Sequence, residues 1–254
     1  MRLHVVAAGE GPPVALLHGL FGQSRNFGAL QRRLAGSYRT LALDLRNHGD
    51  SPHAPGMRYP AMAEDVLETL AAHDALPAAL IGHSMGGKTA MAAALARPEA
   101  VSRLLVADIA PVAYRHGNHH IAEALLALRP TPALTRAEAD TALAGAVGDP
   151  GVRAFLLQNL RFGVEAGWRI GLREIADAIP DIEGWEAPPE GARYEGPALF
   201  VSGERSSYVL PESRPAIQAL FPAARFVTVK GAGHWLHADN PEGFASIVEA
   251  FLAG

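Results

Sequence analysis

Short, nearly continuous apolar runs recur along the chain, near residues 14–17, 40–43, 79–82, 103–107, 198–201 and 225–229. Strands covered by helices on both faces read this way, because neither face meets water. A further strand-like stretch, Arg2–Val6, opens the chain, and Gly9-Glu10-Gly11-Pro12-Pro13 follows it. That turn-rich stretch predicts an antiparallel hairpin at the N-terminal edge. Helical spacing separates the runs, most clearly at Met62, Val66, Leu67 and Leu70 and again over 241–252. The pattern predicts an α/β protein with a mostly parallel central sheet flanked by helices. From 112 to 193 the strand pattern stops, and helical segments are separated by Pro130-Thr131-Pro132, Gly148-Asp149-Pro150-Gly151 and Pro188-Pro189-Glu190-Gly191. The expectation is a core of residues 1–111 and 194–254, with a helical cap, 112–193, inserted after the sixth strand. Such a cap needs the sheet to bury its apolar faces.

One junction carries candidate chemistry. The run Ala79-Leu80-Ile81 leads into Gly82-His83-Ser84-Met85-Gly86, and an Ala-rich helical stretch follows to about Ala96. A serine flanked by glycines two positions away, between a strand and a helix, is the pattern of a nucleophile elbow. The turn brings positions two before and two after the serine close together, so only small side chains fit. The helix N-terminus then points at any oxyanion formed beside Ser84.

A serine hydroxyl needs a base, and the base needs an orienting acid. Of the eleven histidines, His234 stands in Gly231-Ala232-Gly233-His234-Trp235, just past the late run 225–229. That position suits a general base. Two carboxylates qualify as the acid. Asp108 ends the run Arg103–Ala107, and Glu204 follows the run Ala198–Val201; sites in parallel sheets sit at such carboxyl ends. Asp108 is the first choice and Glu204 the alternative. The oxyanion donors are expected to be the N–H of Met85 and one from the early loop His18-Gly19-Leu20-Phe21-Gly22: Leu20, or Phe21 if the loop bends one residue later. His18 reads as a brace for that loop, and His83 as a packing residue beside the elbow.

These motifs, with Asp44-Leu45-Arg46-Asn47-His48-Gly49-Asp50-Ser51, resemble the α/β-hydrolase superfamily over nearly the whole chain. Arg46-Asn47-His48-Gly49, Gly82–Lys88, Asp108-Ile109-Ala110-Pro111 and Leu160-Arg161-Phe162-Gly163 resemble one bacterial branch, the YbfF-type esterases, which is similar to the mitochondrial abhydrolase-domain 11 proteins. The resemblance implies the α/β-hydrolase fold and cofactor-free hydrolysis of acyl esters, with acyl-thioesters in some members. It also implies an acid at the Asp108 position, since Ser206 stands where the wider superfamily places its acid. Asn47-His48 departs from the usual glycine-containing turn of that wider superfamily.

Composition narrows the rest. Twenty-two basic against 26 acidic residues give a net charge of −4, without the basic excess that nucleic acid or anionic membranes select. With no cysteine, disulfides, thiolate metal sites and cysteine nucleophiles are excluded. No leader and no run of membrane-spanning length is read, so a cytoplasmic monomer or small homo-oligomer is expected. His116-Gly117-Asn118-His119-His120 lacks metal-ligand spacing and reads as a solvated cap loop, so no metal is expected. Phe21, Tyr208 and Trp235 sit beside the catalytic candidates and are expected to line a substrate pocket. Phe155, Leu156, Leu160, Phe162 and Trp168 read first as helix core, with an acyl pocket as the alternative. The leading function is a serine carboxylesterase acting on small to medium acyl esters or thioesters. A carbon–carbon bond hydrolase, a perhydrolase or a slow ligand-binding protein would carry the same residues. Ser84 argues against enzymes with an aspartate nucleophile.

Overall fold

The apolar runs pair into one seven-stranded sheet in the computed structural model, which describes residues 1–114 and 117–254. In chain order its strands are β1 (Val5–Ala8), β2 (Pro13–Leu17), β3 (Arg39–Leu43), β4 (Ala78–His83) and β5 (Val101–Ala107). A two-stranded ribbon of β6 (Leu160–Arg161) and β7 (Gly167–Trp168) follows, and then β8 (Ala198–Gly203) and β9 (Ala224–Val229) complete the sheet. The spatial order is β1-β3-β2-β4-β5-β8-β9, with only β1 antiparallel to its neighbour.

Three expectations need correction. The N-terminal edge is not a hairpin, because β1 pairs with β3 and β2 lies between β3 and β4. A methyl on Gly9 would sit 2.4 Å from the carbonyl oxygens of both Ala35 and Tyr38, so the chain crosses tightly over the segment entering β3 instead of folding back on itself. The helical insertion leaves after the fifth strand, not the sixth, because each of the five runs before Asp108 makes one strand. The insertion is also not wholly helical: β6 and β7 close an antiparallel ribbon, Leu160 opposite Trp168.

Alternation along the strands divides the core. Leu80 and Leu104 face the helices Tyr59–Ala72 and Met85–Ala96, where Met62, Val66, Leu70 and Met91 are buried. Ile81 and Leu105 face the opposite way, onto Leu30 and Leu34 of the helix Gly28–Leu34 and Phe244 and Val248 of the helix Pro241–Ala253. Ala122, Leu125, Leu143, Leu156 and Ile175 of the insertion belong to the first of these cores. Its helices thus finish a core that the sheet begins.

A buried lysine ties the insertion to the sheet. Lys88, 1% exposed on the helix after Ser84, donates through Nζ to the carbonyls of Glu183 (3.2 Å) and Gly184 (2.5 Å). These carbonyls end the short helix Ile179–Glu183, where a helix terminus leaves acceptors unfilled. Lys88 Nζ also lies 4.8 Å from the centre of the Tyr114 ring. Burial lowers the Lys88 pKa to about 7, whereas an unfolded lysine titrates near about 10.4. Between these values the unfolded chain binds the extra proton, so stability rises with pH across the window and falls as pH drops towards 7. The melting temperature of the wild type relative to K88M should therefore increase from pH 7 to 10. A difference that stays flat across this range would rule out a buried, proton-poor Lys88.

Candidate active site

The elbow is built by close approach. Ser84 follows β4 with φ +52°, a left-handed conformation costly for a residue bearing Cβ. Its N–H donates to the Ala107 carbonyl at 3.0 Å, tying it to the end of β5. A methyl on Gly82 would lie 2.3 Å from the Gly86 carbonyl, and one on Gly86 would lie 2.3 Å from that of Leu17. Both positions therefore require glycine.

Ser84, His234 and Asp108 come together from three strand ends. His234 Nε2 lies 3.0 Å from Ser84 Oγ, and Nδ1 lies 2.8 Å from Asp108 Oδ2. Asp108 is fully buried, and its Oδ1 accepts from the Gly203 N–H at 3.0 Å. Oδ2 accepts a second, short bond from the Ser206 hydroxyl, which itself accepts from the Tyr208 N–H at 3.2 Å. Ser206, which cannot serve as an acid, helps hold the Asp108 carboxylate. Glu204 serves elsewhere: its carboxylate accepts from the Gly231 N–H at 2.8 Å, bracing the loop below His234. The imidazole is held flat, stacked on Tyr208 with ring centres 3.7 Å apart, while the His234 carbonyl accepts from His83 Nε2 at 2.8 Å.

The loop after β2 forms a turn closed by Gly22 N–H donating to the Gly19 carbonyl at 2.9 Å. Of the two oxyanion candidates on it, the Phe21 N–H is taken, donating to His48 Nε2 at 3.1 Å. The Leu20 N–H has no hydrogen-bond acceptor among the described residues. Met85 is the first helical residue, a position whose N–H has no partner within the helix. Both residues line the cavity beside Ser84.

Neutral imidazoles brace this loop. His18 Nδ1 donates to the Gly19 carbonyl at 2.8 Å and Nε2 accepts from the Leu45 N–H at 3.0 Å. His48 repeats the pattern, with Nδ1 donating to the Arg46 carbonyl at 2.9 Å. An imidazolium has no lone pair, so each ring must be neutral to accept. Burial lowers the pKa of His48 to about 3 and that of His18 in the same direction; it lowers His83 well below its ordinary value and His237 to about 4. The sequence reading passed over His48. Its signals in the sequence are the Arg46-Asn47-His48-Gly49 motif of the esterase branch and the departure of Asn47-His48 from the usual turn.

The cavity measures about 310 Å³. Phe21, Tyr208 and Trp235 line it, as do Phe155 and Leu156 from the insertion. Leu160, Phe162 and Trp168 instead pack into or against the larger core. Lys88 also reaches the cavity wall, which the sequence did not suggest. His119 and His120 do not lie on a loop: they sit exposed on the helix Asn118–Ala127 within 4 Å of the Glu123 carboxylate. Helical spacing of 118–127 outweighs the loop composition there. His116 lies outside the described residues. No helix among the described residues is long and apolar enough to cross a membrane.

A family model described as alpha/beta hydrolase fold matches residues 12–241. The sn-1-specific diacylglycerol lipase ABHD11 of Mus musculus is 41% identical over 252 residues, covering 95% of this chain and 81% of that protein. Esterase YbfF of Escherichia coli (strain K12) is 39% identical over 241 residues, covering 94% of this chain and 92% of the relative. Among solved structures, a marine microorganism esterase superposes with a TM-score of 0.94 at 37% identity, covering 98% of this chain and 99% of its own.

The buried histidines set the acid limit of the site. Unfolded histidines protonate near about 6.5, while His18, His48, His83 and His237 resist protonation in the folded state. Below that pH the unfolded chain binds more protons, so stability falls as pH falls. The calorimetric melting temperature should drop between pH 7 and 5. An unchanged value over that range would contradict the neutral imidazoles.

Proposed function

The chain belongs to the α/β-hydrolase family, and from that premise we propose that it is a serine carboxylesterase of small to medium acyl esters, thioesters included. The observation that carries this reading is the hydrogen-bonded series Ser84–His234–Asp108 opening into an apolar cavity. Ser84 Oγ attacks the acyl carbonyl and gives its proton to His234 Nε2. Asp108 accepts from Nδ1–H, which holds the tautomer with Nε2 free and stabilises the imidazolium. The oxyanion is held by the N–H groups of Leu20 and Met85. Collapse of the tetrahedral intermediate breaks the acyl–oxygen or acyl–sulfur bond, and His234 returns the proton to the departing alcohol or thiol. Water, deprotonated by His234, then attacks the acyl-enzyme and releases the acid and free Ser84.

Nucleophile, base and oxyanion donors are all protein groups, so this chemistry draws on no cofactor. Residues 112–193 act as the cap and the remainder as the catalytic core. A cavity of about 310 Å³ lies at the small end of ligand pockets, which supports a short acyl chain. The esterase names of the relatives from Escherichia coli and the marine source support the same reaction class.

Replacing Ser84 by alanine should abolish hydrolysis of p-nitrophenyl butyrate, and a fluorophosphonate should label wild-type Ser84. Loss of the equivalent serine in subtilisin costs on the order of 10⁶ in kcat; residual activity within tenfold of wild type would sink this reading. An esterase should also turn over many equivalents of ester, whereas a ligand-binding protein would not. D108N should lower kcat by about 10⁴, as the amide does in a serine-protease triad. E204Q, altering an exposed brace of the 231 loop, should stay within about threefold of wild type, and the reverse ranking would move the acid to Glu204.

A further inference from the structure

The esterase reading gives no role to Asn159, a buried polar side chain of the insertion. Asn159, 1% exposed, lies between the helix Pro150–Leu156 and β6 in the cap, among the buried leucines 156, 157 and 160. Its Nδ2 donates to the Phe21 carbonyl at 2.7 Å, while its Oδ1 is buried with no hydrogen-bond partner. A buried, unpaired acceptor is destabilising, and a leucine at 159 would avoid it. The one side-chain bond that Asn159 makes runs out of the cap and onto the early turn.

That turn needs holding. Phe21 has φ +59°, at the third position of a turn that favours glycine. A bulky residue keeps such a conformation only where its surroundings impose it. Here both sides of Phe21 are gripped: its N–H by His48 of the core and its C=O by Asn159 of the cap. The Arg169 N–H donates to the Asn159 carbonyl at 2.8 Å, and the cap's Gly171 N–H donates to the Asn47 carbonyl, next to His48, at 2.9 Å. Leu20 is the other central residue of this turn, so loosening the hold on the Phe21 carbonyl loosens the turn that presents the Leu20 N–H.

We propose that Asn159 is a positioning residue through which the cap sets the direction of the Leu20 N–H, so that the oxyanion site is complete only when the cap is seated. The proposal rests on the esterase reading and makes the cap a part of transition-state stabilisation as well as a wall of the substrate cavity. An oxyanion donor acts chiefly in the transition state, so its misalignment lowers kcat more than it changes KM.

N159L is the informative variant, because it removes the donor and the unpaired oxygen together at similar volume. For p-nitrophenyl butyrate, kcat should fall roughly 10- to 100-fold, less than the 10²–10³ lost when a donor is removed outright from subtilisin. KM should stay within about threefold, and fluorophosphonate labelling of Ser84 should slow in parallel with kcat. The melting temperature should stay close to that of the wild type, because the variant loses one unpaired acceptor, Asn159 Oδ1, and gains another at the Phe21 carbonyl, whereas a merely structural asparagine would lose stability with activity. N159A, which also leaves a cavity, guards against a variant that packs badly: it should melt lower than N159L yet lose kcat to the same degree. Unchanged kcat in N159L, or losses of kcat that track melting temperature across both variants, would overturn the proposal while leaving the esterase reading standing. A wild type that neither hydrolyses the ester nor labels at Ser84 removes both together.

Discussion

The site depends first on how closely the helix Met85–Ala96 can approach the end of β2. Gly86 lies against the Leu17 carbonyl with no room for a methyl group, and Gly82 lies equally close to Gly86. This contact forces the left-handed turn at Ser84 and places the first N–H of the helix beside the loop that follows β2. Any side chain at either glycine would push helix and strand apart. The hydroxyl and both proposed oxyanion donors would then lose their common focus. The ends of β5 and β9 supply the rest, because parallel strands deliver their carboxyl ends to one edge.

Around that focus the protein uses neutral polar groups, which bury at lower cost than charged ones. His18 and His48 each donate to one backbone carbonyl and accept from one backbone N–H, so each ring satisfies both of its nitrogens in a water-poor wall. The one fully buried carboxylate of the proposed triad, Asp108, is met by Gly203 N–H, Ser206 hydroxyl and His234. Such a charge is held by donors from two directions and cannot swing away from the imidazole.

The insertion is bound to this arrangement at two points of different character. Lys88 satisfies carbonyls at the end of the helix Ile179–Glu183 from one turn beyond Ser84, and Asn159 reaches from the insertion to Phe21 in its left-handed conformation. The apolar cores of sheet and insertion are also continuous. Two polar contacts thus join the insertion to the helix after Ser84 and to the early turn.

Much of this was legible along the chain because the determining contacts are local. The elbow spans five residues, its glycines are dictated by sterics within one turn, and the β-strand runs declare themselves by burial on both faces. His234 stood out by its place on a glycine-rich loop. Other features were settled only by tertiary pairing. The pairing of β1 with β3, and not with β2, depends on which edge of the sheet is open, and the local turn composition at Gly9–Pro13 does not carry that information. Asp108 and Glu204 end adjacent strands with equal local claims; only the fold directs one carboxylate to His234 and the other to Gly231. Ser206, His48, Lys88 and Asn159 were unreadable for the same reason. Each acts on a partner distant in sequence, 98 residues away for Ser206 and 138 for Asn159. The sequence by itself determined the fold class, the elbow and the chemical types available. Which polar groups meet was decided by the close packing of segments that share no local pattern.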